Sequence, residues 1–214
     1  CVVVCQEMQK VHALGFVNRG FDTYFAPVGV SLKDSTCVDC GQCATHCPVA
    51  AIYEKVDTKE VMDALDNPDI YVTVQMAPSV RVALGEYFGL KAGDNITGKI
   101  YAAMRLLGFD AIFDTNFGAD MTIVEEANEF VKRFTESNGT AVMTTSCCPA
   151  WVKYIEEYYP DLLDNVSTSK SPHMMLAPMV KTYYAEKMKL NPAKIYNVSI
   201  MPCTAKKNEI RKND

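Results

Sequence analysis

The 214-residue sequence has no apolar run that approaches the roughly 18 residues needed for a membrane-spanning helix. It has no basic run and no basic helix face, and its formal net charge at pH 7 is -5. These absences argue against a membrane span and against a nucleic-acid partner. With 49% hydrophobic and 22% charged residues, the chain can bury one large core or two modest ones.

Cysteine is absent from residues 48–146, although the chain has nine cysteines. A small secreted domain held by disulfides would spread its cysteines through a chain with little core, so this distribution favours metal ligation. The first group comprises Cys1, Cys5, Cys37, Cys40, Cys43 and Cys47, and the second comprises Cys147, Cys148 and Cys203.

Residues 37–48, CVDCGQCATHCP, have the spacing C-x2-C-x2-C-x3-C-P that binds 4Fe-4S clusters in bacterial-type ferredoxins. The two-residue gaps let three thiolates of one loop reach three corners of a cubane. Zinc sites also use C-x2-C pairs, but the terminal C-x3-C-P fits zinc poorly. The spacing therefore predicts an iron-sulfur cluster.

The fourth cysteine of such a run binds the other cluster of a pair, and this rule assigns the earlier cysteines. Cys1 and Cys5 repeat the C-x3-C spacing of Cys43 and Cys47, as if they ended an earlier copy of the motif. We therefore expect one complete 4Fe-4S site, formed by Cys5, Cys37, Cys40 and Cys43, and one half site, formed by Cys1 and Cys47. A free surface thiol is the alternative for Cys1.

Strand-like and helix-like patterns alternate after residue 56, which predicts parallel strands joined by crossover helices. We expect an α+β ferredoxin-like cluster domain at 1–56, with a short helix from residue 6 and strands around 15–31. An α/β doubly wound, mainly parallel-sheet lobe should follow at 57–214. Its predicted strands are 70–77, 110–116, 141–145 and 195–201, and its predicted helices are 79–89, 98–107, 120–137, 150–159 and 173–188.

The second group of cysteines follows two of these predicted strands. Cys147 and Cys148 come after the strand at 141–145, and Cys203 comes after the strand at 195–201. Ligands of open α/β sheets gather at the carboxyl ends of the strands, so we expect these thiols to face one crevice. Converging thiolates suggest a metal cluster there.

Four segments behind the ferredoxin-type run resemble the iron-only (FeFe) hydrogenases: MAPSVR at 76–81, FGADM at 117–121, TTSCCPAW at 144–151 and MPCTAKKNE at 201–209. The resemblance covers essentially the whole chain. It implies reversible reduction of protons to H2 at the H-cluster, a 4Fe-4S cubane joined through a thiolate to a two-iron unit with CO, CN and dithiolate ligands. The family's third cysteine motif would lie beyond residue 214, so we expect an internal fragment that is inactive alone, with an incomplete H-cluster site.

The resemblance also implies roles for single residues. Cys148 and Cys203 would bind the cubane of the H-cluster, and Cys147 would exchange protons with the dithiolate bridge. Lys206 would donate a hydrogen bond to an iron-bound cyanide. The other pocket residues that it implies are Ala77, Pro78, Ser79, Met201 and His173, the last standing where the family commonly has glutamine.

Glu126, Glu129 and Arg133 are spaced i, i+3 and i+7 and share one face of the predicted helix at 120–137. Spacing alone indicates a solvated charged face. The resemblance instead implies a proton relay from Cys147 through Glu126, Ser167 and Glu129, with Arg133 near its exit. Carboxylates and hydroxyls suit a relay because each can accept one proton while passing on another.

Ferredoxin or a similar electron carrier is the expected partner, and the cytoplasm is the expected location. Two alternatives keep the fold without hydrogen turnover. One is a non-catalytic hydrogenase-like protein of iron-sulfur assembly or binding, and the other is a hydrogenase that senses H2. Cys147 argues against both, because neither is expected to keep the proton-relay thiol.

Overall fold

The computed structural model describes residues 1–212. Its strands are β1 Leu14–Val17, β2 Tyr24–Pro27, β3 Tyr71–Met76, β4 Ala111–Asp114 and β5 Ile195–Ile200. Its α-helices are α1 Gln42–Thr45, α2 Thr58–Leu65, α3 Val80–Ala83, α4 Thr97–Leu106, α5 Thr115–Glu136, α6 Pro149–Tyr158, α7 Pro172–Met179, α8 Ala185–Met188 and α9 Lys206–Glu209. The last two residues of the lobe expected at 57–214 lie outside the described residues.

Short 3-10 and π segments complete the secondary structure. The 3-10 turns are Gly20–Asp22, Leu84–Phe88, Pro160–Asn165 and Pro192–Lys194, and the π turns are Val4–Met8 and Val180–Tyr184. The second π turn follows Pro178 inside α7, where proline has no N–H for the regular ladder. Among residues 1–212, no helix combines the length and apolarity that a membrane crossing requires.

The chain divides into two compact units. Unit 1 comprises Cys1–Lys55, Cys148–Val166 and Cys203–Asp214, and unit 2 comprises Val56–Cys147 and Ser167–Pro202. Each unit therefore contains segments that are distant in sequence.

Unit 1 contains an antiparallel pair of strands, in which Leu14 of β1 lies opposite Pro27 of β2. The strands expected around 15–31 are therefore present. The core of the unit is small and includes Val2, Cys5, Val11, Ala13, Leu14 and Val38. Helix α6 packs on this core through Ala150 and Tyr154, and the hydroxyl of Tyr158 donates a hydrogen bond to the carbonyl of Val11.

Unit 2 contains a parallel three-stranded sheet in the order β4-β3-β5. The central strand β3 is buried from Val72 to Met76, including the polar side chains of Thr73 and Gln75, because both faces of the sheet are covered at this strand. Ile100 and Met104 of α4 pack against it. The mixture of helices with a parallel sheet agrees with the expected architecture of this region.

Two expectations about local structure need correction. Residues 141–145 form no strand: only Thr144 makes a bridge, and the Val142 side chain is 68% exposed, so the segment lacks the burial of a sheet strand. The long helix begins at Thr115 rather than residue 120, because the Asp114 carboxylate accepts a hydrogen bond from the Asn116 N–H at 2.9 Å and caps the helix there.

Candidate functional site

Five thiols of unit 1 contact the same small apolar core. Cys5 belongs to that core, and Cys1, Cys37, Cys40 and Cys43 are half-buried against it. The loop that carries the last three turns into α1 through Gly41, whose φ of +72° favours glycine. The core therefore brings together the four cysteines expected in the complete site and also Cys1, which the spacing assigned to the half site.

The electrostatics of these thiols suit a positively charged metal centre. Burial raises the pKa of Cys37 to about 11. Burial also raises the pKa of Cys43, and negative charge on Cys40 or Cys5 raises it further, which reflects their closeness. Without a cation, Cys37 and Cys43 stay protonated at neutral pH, whereas bound metal stabilises their thiolates.

The donor set fits an iron-sulfur cubane, in which each of four irons takes one thiolate. None of the nine cysteines in residues 1–212 forms a disulfide. Within the same residues, no three His, Cys, Asp or Glu side chains are gathered as they would be around one metal ion. A cubane spreads its four ligands over four irons, so it does not require such a tight group.

Cys47 lies at a different place, in the turn that follows α1. The N–H of Ala51 donates a hydrogen bond to its sulfur at 3.2 Å. Backbone N–H groups, first that of Ile52 and then that of Val49, lower the pKa of Cys47. The turn thus favours a thiolate at Cys47.

Cys148 and Cys203 each precede a helix of unit 1. Cys148 is the exposed N-cap residue of α6, and Cys203 is half-buried three residues before α9. Lys206, at the start of α9, forms an ion pair with Glu209 at 3.0 Å. The ammonium group expected to bind an anionic ligand is thus paired with a carboxylate one turn further along its own helix.

A cavity of about 580 Å³ in unit 1 is bordered by Cys37 and Cys43. Most charged groups around it are basic, namely Lys33, Lys55, Lys153, Lys207 and Arg211, with Asp39 and Glu54 as the acidic members. No sequence motif marks Asp39 or Lys153 as functional residues. Their ion pair, at 3.3 Å, joins residues 114 positions apart, so no local pattern could have indicated it.

In unit 2, several expected pocket residues lie at the carboxyl edge of the sheet. Ala77 directly follows β3, and its N–H donates to the carbonyl of Ile200 at the end of β5, at 3.0 Å. Pro78 and Ser79 are exposed, and Met201 is half-buried after β5. The sheet therefore brings residues 77–79 and Met201 to neighbouring strand ends, as the topology of parallel sheets predicts.

His173, also in unit 2, is 2% exposed and belongs to a buried polar network. Its Nδ1 lies 3.5 Å from the Ser199 hydroxyl, and its carbonyl accepts a hydrogen bond from Gln75 Nε2 at 3.1 Å. Gln75 accepts in turn from the Thr115 hydroxyl at 3.2 Å. Sequence analysis missed Gln75, whose position in an apolar strand was the available signal.

Two of the expected relay residues of unit 2, Ser167 and Arg133, contact Glu129. Its carboxylate accepts from the Ser167 hydroxyl at 3.1 Å, from the Thr168 N–H at 3.0 Å and from Arg133 Nη2 at 2.5 Å. Burial alone would raise the pKa of Glu129. The hydrogen bonds from Thr168 and Ser167, together with the charge of Arg133, outweigh burial and hold its pKa below the usual range.

Glu126 lies one helical turn closer to the segment that contains Cys147. Its Oε1 is 3.5 Å from the N–H of Ser146, and the Ser146 hydroxyl donates to the carbonyl of Ser169. Cys147 is exposed, and its sulfur lies 3.7 Å from the Thr145 hydroxyl. Unit 2 thus joins the two expected glutamates to the segments around Cys147 and Ser167.

A second cavity, of about 550 Å³, borders the outer end of this group. Its lining is polar throughout and consists of Glu125, Asn128, Glu129, Lys132, Arg133, Glu136, Thr168 and Ser169. Glu129 therefore contacts both the hydroxyl of Ser167, a buried residue that is 5% exposed, and an open polar space. Such a position suits a group that passes protons between a protein interior and water.

Comparison with known proteins identifies the family. Residues 70–214 match the iron only hydrogenase large subunit, C-terminal domain, and residues 32–53 match a 4Fe-4S binding domain. The chain therefore belongs to the iron-only hydrogenase large-subunit family, as the resemblance implied.

Among curated relatives, the NADP-reducing hydrogenase subunit HndD of Solidesulfovibrio fructosivorans is 46% identical over 98% of this chain. Iron hydrogenase 1 of Clostridium pasteurianum is 48% identical over the same share. The chain spans 37% and 36% of the lengths of these two proteins. A solved structure of the apo FeFe hydrogenase from Chlamydomonas reinhardtii is 46% identical and has a TM-score of 0.68, covering 72% of this chain and 40% of that one.

A more distant relative belongs to the alternative class. Cytosolic iron-sulfur assembly component 3 of Rattus norvegicus is 31% identical over 86% of this chain, which spans 40% of its length. The hydrogenases are thus considerably more similar to this chain than the assembly protein is.

Proposed function

We propose that the protein carrying this sequence is an FeFe hydrogenase that reversibly reduces protons to H2 with electrons delivered through 4Fe-4S clusters. The observation that carries the proposal is the contact of Glu129 with Ser167, which joins two expected relay residues of unit 2. Family membership and the higher identity to hydrogenases than to the assembly protein support it.

The cysteines of unit 1 would hold the clusters that bring electrons. Cys5, Cys37, Cys40 and Cys43 would bind one complete 4Fe-4S cluster, and their contact with one shared core supports this assignment. Cys1 and Cys47 would bind half of a second cluster. Cys148 and Cys203 would bind the cubane of the H-cluster.

When bound, the H-cluster supplies the metal chemistry that combines protons and electrons. The resemblance implies pocket roles for five residues of unit 2: Ala77, Pro78, Ser79, Met201 and His173. Lys206 would donate a hydrogen bond to an anionic ligand, for which it would have to exchange its contact with Glu209.

Protons would travel along residues of unit 2. Cys147 would hold the inner proton at its sulfur, Glu126 and Ser167 would pass it on, and Glu129 would exchange it with water near Arg133. The hydrogen bonds of Glu129 to Ser167 and Arg133, and its place beside a polar cavity, support this order. A carboxylate with a low pKa releases a proton to water readily, which suits the outer end of a relay.

The proposal also covers the two domains and the electron partner. We propose a ferredoxin-like domain at 1–56 and a doubly wound lobe at 57–214, with ferredoxin or a similar carrier as electron partner. The cytoplasmic location expected from the sequence stays a prediction.

The experiment compares Cys147→Ala and Cys148→Ala in the protein that carries this sequence, matured with the two-iron cofactor. We expect the unmodified protein to evolve H2. Cys147→Ala should lose this activity while keeping its iron and sulfide, because its thiol would carry protons rather than bind metal. Cys148→Ala should lose the activity together with part of the iron and sulfide, because its thiol would be a ligand of the H-cluster cubane, while the cluster on Cys5, Cys37, Cys40 and Cys43 should remain. Equal activity in Cys147→Ala and the unmodified protein would refute the relay.

The similarity to an assembly component makes iron-sulfur assembly the second candidate function. The same experiment separates it from catalysis. An unmodified protein that binds iron and sulfide but evolves no H2 after maturation would support the assembly function and exclude the hydrogenase.

A further inference from the structure

Asp39 lies inside the cysteine loop, between Cys37 and Cys40, in a backbone conformation with φ +57°. Its carboxylate accepts from Lys153 Nζ at 3.3 Å and from Asn208 Nδ2 at 3.0 Å. Its carbonyl accepts from the Thr204 hydroxyl at 2.6 Å. One acidic residue thus makes three polar contacts with residues more than 100 positions away, all within unit 1.

The neighbouring Gly41 shows how closely this loop and Thr204 approach. A Cβ at Gly41 would lie 2.5 Å from the Thr204 hydroxyl oxygen, and Gly41 has a positive φ of +72°. A side chain at this position would therefore displace Thr204 and break its bond to Asp39. The loop is matched in shape as well as in polarity to the segment that follows Cys203.

The partners of Asp39 come from two particular segments. Lys153 lies on α6, which begins directly after Cys148, and Thr204 and Asn208 lie next to Cys203 and on α9. Cys148 and Cys203 are the proposed ligands of the H-cluster cubane. Asp39 therefore connects the loop of one proposed cluster to the two segments that carry ligands of the other.

The charges of Asp39 and Lys153 act on the cluster-binding loop in opposite directions. The Asp39 N–H also donates to the sulfur of Cys37 at 3.4 Å, so the residue is in contact with a proposed ligand. A cluster becomes more negative when it is reduced. A nearby carboxylate therefore opposes reduction, whereas a nearby ammonium group favours it. The side chain of Lys153 is 18% exposed and that of Asp39 is 34% exposed, so water screens the pair only in part.

We propose that Asp39 is a positioning residue for electron delivery: it fixes the Cys37–Cys43 loop against the segments that follow Cys148 and Cys203, and its charge, balanced by Lys153, sets the reduction potential of the cluster on that loop. The proposal rests on the proposed ligand roles of Cys37, Cys40 and Cys43. It concerns how the cluster is held and tuned rather than whether one binds.

The test is a redox titration of the accessory cluster, followed by electron paramagnetic resonance, in the protein that carries this sequence. Asp39→Asn removes the charge but keeps the shape and tolerates the positive φ. It should shift the potential upward. Lys153→Met should shift it downward, and the double variant should lie between the two. Asp22→Asn, an exposed acid in the Gly20–Asp22 turn of the same unit, is the control for charge alone and should leave the potential unchanged.

Opposite signs in the two single variants are the decisive result, because a packing defect has no reason to follow the sign of the removed charge. Potentials that stay unchanged, or that shift in the same direction in both variants, would overturn the inference. If Asp39→Asn failed to assemble the cluster, Lys153→Met would still decide the question, since it leaves the loop intact. Failure of the underlying ligand assignment is recognised separately, by a cluster signal that survives in Cys37→Ala.

Discussion

The hydroxyl of Ser167 donates a hydrogen bond to Glu129 at 3.1 Å, across 38 positions of sequence. If this bond is a step of the proton relay, Ser167→Ala should lower the rate of H2 evolution on the order of 10²-fold, the scale of a positioned proton-transfer group. The loss should appear in the turnover number while iron content stays unchanged. Gas chromatography of H2 from the matured protein measures it.

Ser169→Ala is the matched control for that variant. Ser169 contributes to this region through its backbone. Its N–H donates to the Ser167 hydroxyl at 3.1 Å, and its carbonyl accepts from the Ser146 hydroxyl. Removing its side-chain hydroxyl should leave the rate of H2 evolution close to that of the unmodified protein. Similar losses in both variants would indicate a general disturbance of this segment instead of a broken relay.

The low pKa of Glu129 also predicts a dependence of stability on pH. The unfolded chain binds a proton at Glu129 at a higher pH, about 4.3, than the folded chain does. The carboxylate therefore contributes stability above that pH, and the contribution is lost as pH falls through the lower pKa of the folded state. Glu129→Gln has no carboxylate at this position, so it should not lose this stability on acidification. Its melting temperature should therefore depend less on pH between about 5 and 3. Glu136→Gln, an exposed glutamate on the same helix, should keep the slope.

Local sequence patterns correctly predicted elements that bury one face or both faces in the core. The strand expected at 70–77 is β3, which is buried on both faces, and the helix expected at 98–107 is α4. They failed at 141–145, where apolar residues lie in an irregular segment and Val142 is exposed. A short apolar run indicates burial, but it does not by itself supply a strand partner.

Local sequence patterns could not predict the contacts that define the candidate sites, because these contacts join residues that are distant in sequence. The bond from Thr204 to Asp39 spans 165 positions, and the bond from Gln75 to His173 spans 98. Such pairs form only when the tertiary fold brings distant segments together. Cysteine spacing predicted which thiols share a cluster loop because that information is local. The partner of Glu129 on another segment was implied only by the family resemblance.

Asp114 combines two stabilising contacts that substitutions can separate. Its carboxylate caps α5 through the Asn116 N–H, and it accepts from Arg81 Nη2 at 2.7 Å. Asp114→Asn keeps a capping oxygen and loses the charge, whereas Asp114→Ala loses both. We expect Asp114→Ala to lower the free energy of unfolding by about 1 kcal/mol more than Asp114→Asn, the usual value of an N-cap. Urea denaturation followed by circular dichroism measures the difference, and equal losses would show that the cap contributes little.

Gly118 and Gly98 should respond to alanine in opposite directions although both lie in helices. In α5, a Cβ at Gly118 would overlap the backbone carbonyl oxygen of Pro172, at the start of α7. Backbone cannot move aside as a flexible side chain can, so Gly118→Ala should cost about 1–3 kcal/mol of stability. In α4, nothing lies within 4 Å of a Cβ at Gly98, so Gly98→Ala should stabilise the protein by about 0.5–1 kcal/mol through helix propensity. Thermal unfolding should therefore show a lower melting temperature for Gly118→Ala and a higher one for Gly98→Ala. A melting temperature for Gly118→Ala at or above that of the unmodified protein would mean that α5 and α7 can separate without loss of packing.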